Sequence, residues 1–361
     1  MKARLIVASS ERDANMLYAT GFFVPDAFIW FEVRGRTYAV LSDLEIDRAK
    51  KHAQVDRVLA YRDFSKRLKN PKFSDVLRLI LRQYGVRSAE VPANFPFGLA
   101  RQLRSLRLTV PKGEFFPARA LKTPAEVQKI RAALGMAEAG VQAAIELIRS
   151  SRIGRDGLLN VTSEQVRGVI NQTIAGLGGV ASDTIVAGGN QACDPHEVGH
   201  GWLRAHWPVI IDVFPRDIAT GYFGDITRTV VRGRASEAVR KLYAAVHEGQ
   251  KLGFDRLRDG VNGREVHNAI MELFTKRGYK TGPLHGRMQG FFHGTGHGLG
   301  LDIHESPSVG ARSQKLKAGN VVTVEPGLYY WGIGGVRLED VALIQARDAR
   351  NLTTLPKELE I

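Results

Sequence analysis

Four carboxylates of this chain stand where the sequence predicts buried strand. Asp212 closes the apolar run Val209-Ile210-Ile211, Asp225 opens Ile226-Thr227-Arg228-Thr229, Glu325 follows Val321-Val322-Thr323-Val324, and Glu339 sits in Val336-Arg337-Leu338-Glu339. An isolated carboxylate in an apolar setting is costly, so such groups are normally paired or bound to a metal. Each has an ordinary structural explanation when taken alone. Asp212 or Asp225 could cap a turn, Glu325 could start a turn with Pro326, and Glu339 could pair with Arg337. Four of them together require cations. The segment His293-Gly294-Thr295-Gly296-His297-Gly298-Leu299-Gly300 adds imidazoles. Its His-x-x-x-His spacing suits a helical zinc site, but so many glycines make a helix implausible and predict a close-packed loop or strand. It is no dinucleotide fingerprint, because the third glycine of such a motif would fall on Leu299 or Leu301. The glycines are expected to let backbone approach a metal and a bound peptide, and His304-Glu305 supplies a further imidazole nearby.

These residues need elements to hold them. The chain of 361 residues predicts two domains, 1–120 and 121–361, and its 44% apolar and 24% charged residues are ordinary globular usage. Short β-rich runs at 4–8, 27–33 and 36–41, with helical patterns at 43–53 and 74–84, make the first part a small α/β domain. Pro111, Gly113 and Pro117 mark a boundary, after which Thr123-Pro124-Ala125-Glu126 is a capping box opening a helix to about Ser150. Thr162 and Asn262 begin two more helices, the latter ending at Gly278. Between them lie the strands Val209 to Phe214, Ile226 to Val231, Val321 to Glu325 and Val336 to Ile344, which gives a mixed α/β (α+β) second domain.

Charge and cysteine usage restrict the classes further. The net charge of +14 is concentrated at the front, where residues 1–120 hold 22 Lys+Arg against 12 Asp+Glu, while the remainder holds 29 against 25. These charges are scattered without interleaved aromatics, which predicts a solvated basic face and not a nucleic-acid groove. No run is long enough to span a bilayer, the N-terminus lacks a signal-peptide core, and the single Cys193 excludes an intrachain disulfide. A cytoplasmic protein is expected.

Taken in order, Asp212, the stretch Gly221 to Thr229, the loop His293 to Glu305, Thr323 to Tyr329 and Gly335 to Asp340 resemble the motifs of the pita-bread metallopeptidase family (M24). That family includes methionine aminopeptidase, Xaa-Pro aminopeptidase and prolidase. The segment Asn15 to Phe22 more weakly resembles the creatinase/prolidase N-terminal domain, which favours the Xaa-Pro branch. The resemblance implies a pita-bread C-terminal domain with a smaller N-terminal α/β domain. It further implies two divalent ions, manganese first and cobalt, zinc or iron as alternatives, with Asp225 and Glu339 bridging, Asp212 completing one site, and His297 with Glu325 the other. Such ions would share a hydroxide that attacks the carbonyl before a proline in a small peptide. Glu325 is the implied general base, His304 and His196 the implied partners of substrate and tetrahedral intermediate, and His293 the implied contact beyond the cut. Arg337 joins these catalytic candidates, and a homodimer is the expected assembly. His200 and His206 stay open as alternatives to His196. Where the family carries a glycine two positions after its first aspartate this chain has Phe214, and the stretch to Asp225 is longer, which puts substrate preference in question.

Two other readings compete. Creatinase-like C–N hydrolysis without metal conflicts with a full ligand set. A peptidase-fold binding protein using its basic face for nucleic acid or a protein partner would be expected to have lost ligands, and none is lost.

Overall fold

The computed structural model describes all 361 residues and divides into two compact units, Met1–Arg119 and Ala120–Ile361. In the first unit, strands β1 (Lys2–Ala8), β2 (Phe28–Val33), β3 (Arg36–Leu41), β4 (Arg57–Ala60), β5 (Ser88–Glu90) and β6 (Arg107–Thr109) form one sheet in the order β4-β3-β2-β1-β5-β6. Its helices are α1 (Ala14–Thr20), α2 (Ile46–His52), α3 (Arg62–Ser65), α4 (Phe73–Gln83) and α5 (Phe97–Gln102). Successive side chains point to opposite faces of a strand, so Leu5, Val7, Ile29 and Phe31 pack with Val76, Leu77 and Ile80 of α4. The alternate set Ile6, Phe28, Trp30 and Ala39 packs with Met16 of α1 and Ala49 of α2. Both faces are covered, which is why these strands read as unbroken apolar runs.

The second unit opens with α6 (Pro124–Ser150), whose N-terminus carries the predicted capping box: Thr123 accepts from the Glu126 N–H, and Glu126 reaches back to the Thr123 N–H. There follow β7 (Leu158–Thr162), α7 (Ser163–Gly176), β8 (Gly179–Val180), β9 (Ile185–Gly188), β10 (Trp202–Arg204), β11 (Pro208–Val213), β12 (Arg216–Asp217) and β13 (Ile226–Val231). Next come α8 (Glu237–Arg256), α9 (Gly263–Lys276), β14 (Gly282–Leu284) and β15 (Arg287–Gln289). The last strands are β16 (Gly296–Gly298), β17 (Glu305–Val309), β18 (Val321–Val324), β19 (Gly327–Tyr330), β20 (Gly334–Arg337), β21 (Asp340–Ile344) and β22 (Ala349–Asn351). One antiparallel sheet runs β13-β11-β9, a second runs β17-β16-β18-β21-β22, and β19 with β20 makes a separate hairpin. Helices α8 and α9 supply Val246, Ile270 and Phe274 to the core over the second sheet.

Two sequence expectations change here. The run Val336 to Ile344 is not one strand: β20 pairs with β19 and β21 with β18, and the chain steps between sheets at Leu338-Glu339. The glycines of the histidine segment serve mainly protein packing. A Cβ on Gly296 would lie 1.9 Å from the Thr323 carbonyl oxygen, so glycine is what lets β16 and β18 approach. The long stretch between Asp212 and Asp225 is also ordered, since β12 pairs with β8, the Asp217 carboxylate accepts from Ala219 N–H (2.9 Å) and the Thr220 hydroxyl (2.6 Å), and Phe223 N–H reaches Gly300 O (2.9 Å).

The C-terminal residues close the unit. Val231 N–H donates to Leu359 O and Ile361 N–H to Val231 O. The buried Arg228 donates to Leu355 O and Pro356 O, to Glu339 O (2.8 Å) and to the Asp340 carboxylate (2.9 Å).

Candidate metal centre

The carboxylates are delivered by strand ends, not strand middles. Asp212 is on β11 opposite Thr227 of β13, Asp225 immediately precedes β13, Glu325 immediately follows β18, and Glu339 occupies the step between β20 and β21. Backbone bonds lock these steps: Glu325 N–H to Thr295 O at 2.7 Å and Glu339 N–H to Thr227 O at 3.1 Å. Gly224 sets the depth of Asp225, because a Cβ there would fall 2.4 Å from the α6 backbone at Ala133 and Leu134.

All of them face one cavity of about 850 Å³, lined by Asp212, Asp225, His297, Glu325 and Glu339, and also by His196, His293, His304 and Arg337. Ligand atoms of Asp225, His297 and Glu339 lie within 4.8 Å of one another. The His297 Nε2 is 3.5 Å from Asp225 Oδ2 and 3.4 Å from Glu325 Oε1, while its Nδ1 lies 3.2 Å from Gly298 O. That contact places the proton on Nδ1 and leaves Nε2 as a free donor atom. Thr227 donates to Glu339 Oε2 at 2.7 Å and Thr323 to Glu325 Oε1 at 3.3 Å, each orienting a carboxylate.

Arg337 does not pair with Glu339. Its partner is Asp212 at 2.6 Å, and it also reaches the Tyr329 hydroxyl (3.2 Å) and Pro195 O (3.3 Å). The other Asp212 oxygen, Oδ1, is buried and has no hydrogen bond. The His293 Nδ1 is 2.7 Å from Gly294 O and its Nε2 2.8 Å from the Tyr329 hydroxyl. With Nδ1–H donating and Nε2 accepting, both nitrogens are engaged, and the ring offers the cavity its surface and no free proton. His304 sits edge-on to His297 with ring centres 4.2 Å apart.

The upstream histidines separate spatially. His196 lines the cavity, His200 stands in a smaller cleft of about 250 Å³ with Trp202 and Trp207 and contacts Gln191, and His206 Nδ1 meets Arg234 O at 2.9 Å. Tyr329, Thr227 and Thr323 support the site although sequence reasoning gave them no role. The alternation of threonines on the fully buried β13 was the available signal, since a buried hydroxyl needs a partner.

Electrostatics show the strain of gathering these acids. Burial, then the charges of Glu339, Asp212 and Glu325, holds Asp225 well above the usual carboxylate range. Burial with Glu325 and Asp212 does the same to Glu339, and burial pushes Glu325 up to about 7. Burial lowers His297 and His304 and, with Arg337 beside it, pushes His293 down to about 3, so these imidazoles are neutral. Acids crowded until they hold protons, an orphaned carboxylate oxygen and an imidazole presenting a bare nitrogen are a donor set that fits divalent cations.

The model of metallopeptidase family M24 matches residues 128–346, more than half of the sequence. The chain belongs to that family. Its second unit has the family's pita-bread fold, and a smaller N-terminal unit precedes it. This M24 chain is 41% identical over 142 residues to the uncharacterized peptidase YqhT of Bacillus subtilis, covering 39% of this chain and 38% of that protein. It is 33% identical over 243 residues to the Xaa-Pro dipeptidase of Pyrococcus furiosus, covering 67% of this chain and 65% of the relative. These matches span less than two thirds of either relative's length. Among solved structures, the Xaa-Pro dipeptidase from Bacillus anthracis resembles it with a TM-score of 0.85 at 25% identity, covering 99% of this chain and 95% of that one. No helix is long and apolar enough to cross a membrane.

Proposed function

We propose that this M24 chain is a metal-dependent peptidase that hydrolyses the Xaa-Pro bond of small peptides. The observation that carries this reading is the convergence of Asp212, Asp225, His297, Glu325 and Glu339 on one cavity, with the buried Asp212 Oδ1 lacking a hydrogen bond and His297 Nε2 turned towards Asp225 and Glu325. In this reading Asp225 and Glu339 would serve both of two divalent ions, Asp212 would serve one of them, and His297 with Glu325 the other. When bound, such ions supply a nucleophile from water near neutral pH and polarise the scissile carbonyl, with manganese the first candidate.

The protein's own groups do the rest. Glu325, on the cavity wall beside His297, accepts the proton of the attacking water and returns it to the leaving nitrogen. Proline's tertiary amide makes that nitrogen unable to donate, so an enclosed site shaped for it can reject ordinary peptide bonds. His304 and His196, on the cavity wall, hydrogen-bond the substrate and the developing oxyanion. His293, its nitrogens engaged by Gly294 and Tyr329, presents its ring face beyond the cut, a surface suited to a pyrrolidine ring. Arg337 fixes Asp212 and Tyr329. A homodimer in the cytoplasm completes the proposal.

Elemental analysis of protein purified without chelator, coupled to proline release from short Xaa-Pro peptides, tests it. The expected result is about two ions per chain and activity abolished by chelation. Full activity of metal-free protein would sink the mechanism, and preference for Met-Ala over Xaa-Pro peptides would sink the substrate assignment.

A further inference from the structure

The arginines of the first unit, scattered in sequence, are gathered by its topology. Strands β1, β5 and β6 are parallel, β2 runs against β1, β3 against β2, and β4 with β3. The starts of β1, β3, β4, β5 and β6 and the end of β2 therefore share one end of the sheet. Arg34 stands in the β2–β3 turn there, Arg36 opens β3, Arg57 opens β4, Arg87 precedes β5, and Arg107 opens β6. The connections that enter β5 and β6 add Arg82 and Arg104. All seven are exposed, and none forms an ion pair.

Carboxylates nearby are already engaged. Asp56 accepts from the Thr37 N–H (2.7 Å) and hydroxyl (2.9 Å), Glu90 pairs with Lys2 (2.8 Å), and Glu32 pairs with Arg4 (3.3 Å). Most other acids of the unit, Glu11, Asp13, Asp26, Asp43 and Glu45 among them, lie in segments at the opposite end. The sheet is thus polarised along its strands, with six strands at about 4.8 Å spacing making a positive row about 24 Å long.

We propose that this row docks a carboxylate-rich segment of a protein partner. Guanidinium forks bind carboxylate or phosphate bidentately, so the charge alone admits either. Against a single-stranded nucleic acid, the rings decide. Phe31, Tyr38 and Tyr84 pack on one another at 4.7–5.1 Å, and no exposed aromatic side chain stands among the seven arginines, so a nucleic-acid base has no stacking platform. An extended acidic segment needs none, and one side of it offers a carboxylate about every 6.7 Å, roughly four along the row.

The test uses the full chain and a fluorescent oligoglutamate of about 12 residues, with single-stranded and duplex DNA of equal charge beside it, near physiological salt. Arg36→Glu, Arg57→Glu, Arg87→Glu and Arg107→Glu combined should weaken oligoglutamate binding by about 10-fold or more. The same number of reversals at Lys66, Lys69, Lys72 and Lys112, in segments at the other end, should weaken it by less than about 3-fold. If the reversed chain loses its circular dichroism spectrum, the four Arg→Gln changes take its place. Equal loss in both sets, tighter binding of either DNA, or no oligoglutamate binding by the unaltered chain would overturn the proposal. Hydrolysis of Xaa-Pro peptides is a separate property, and its presence or absence leaves this result unaffected.

Discussion

The two histidines four residues apart illustrate how neighbours divide labour. His297 turns a bare Nε2 towards Asp225 and Glu325, whereas His293 spends both nitrogens on Gly294 and Tyr329. His297→Ala should therefore lower metal content, while His293→Ala should keep the metal and lose kcat/KM on Xaa-Pro peptides, because positioning fails and nucleophile generation persists. Equal metal loss in both variants would refute the assignment. The carboxylates divide similarly. Asp225→Asn and Glu339→Gln should cost more metal and turnover than Asp212→Asn, whose carboxylate is already paired with Arg337, and more than the about 10- to 100-fold expected for a supporting contact. Titration of the chelated protein offers an independent check. Raised carboxyl pKa values mean that the folded metal-free chain holds protons the unfolded chain releases, so stability falls as pH rises through about 7, the value for Glu325. The lowered histidines act in the opposite sense, but only below their ordinary value of 6.5. Between about pH 6.5 and 8 the thermal midpoint of chelated protein should fall, and restored metal should flatten that slope; a rising midpoint would contradict it.

At the scale of elements, the donors depend on close passage of backbones. Gly296→Ala would place a methyl into the Thr323 carbonyl, parting β16 from β18 and with them His297 from Glu325. An overpacking cost of about 1–3 kcal/mol and weaker metal binding are expected, read by thermal denaturation and metal titration. An unchanged midpoint would show that the strands yield freely. This requirement marks the limit of what the sequence discloses. The capping box at Thr123, the helix starts at Thr162 and Asn262, and the strand Ile226–Val231 are legible because caps and apolar runs are local signals. The convergence of Asp212, Asp225, His297, Glu325 and Glu339 was inferred from motif order and from the cost of burying carboxylates. The break at Leu338-Glu339, the true partner of Arg337 and the packing purpose of Gly296 were not legible. Each depends on a strand distant in sequence, and one apolar run looks alike whether it serves one sheet or two.

Across the whole molecule, one ion pair ties the entry of the second unit to its site. Lys122, just before α6, pairs with Glu305, and both side chains are buried. Glu305 faces Gly300 across the turn that carries Ile303 and His304 into the cavity. Removing Lys122 takes away the buried cation that balances the Glu305 carboxylate, so Lys122→Ala should cost about 3–5 kcal/mol, whereas Lys122→Met with Glu305→Leu should cost much less. Chemical denaturation of both variants decides it, and equal losses would mean the pair contributes only volume. The fastening of Arg228 by Leu355 and Pro356 has a consequence in time. A polypeptide emerges from its N-terminus at about 5–20 residues per second, so synthesis from Asp212 to Glu339 takes on the order of ten seconds. During that interval the first unit has already been made, yet the proposed ligand set is incomplete, and Arg228 still lacks the carbonyls that fix it beside Glu339. The residue that braces Glu339 is therefore fastened only after Leu355 and Pro356 have been made, later in synthesis than every carboxylate and imidazole of the cavity.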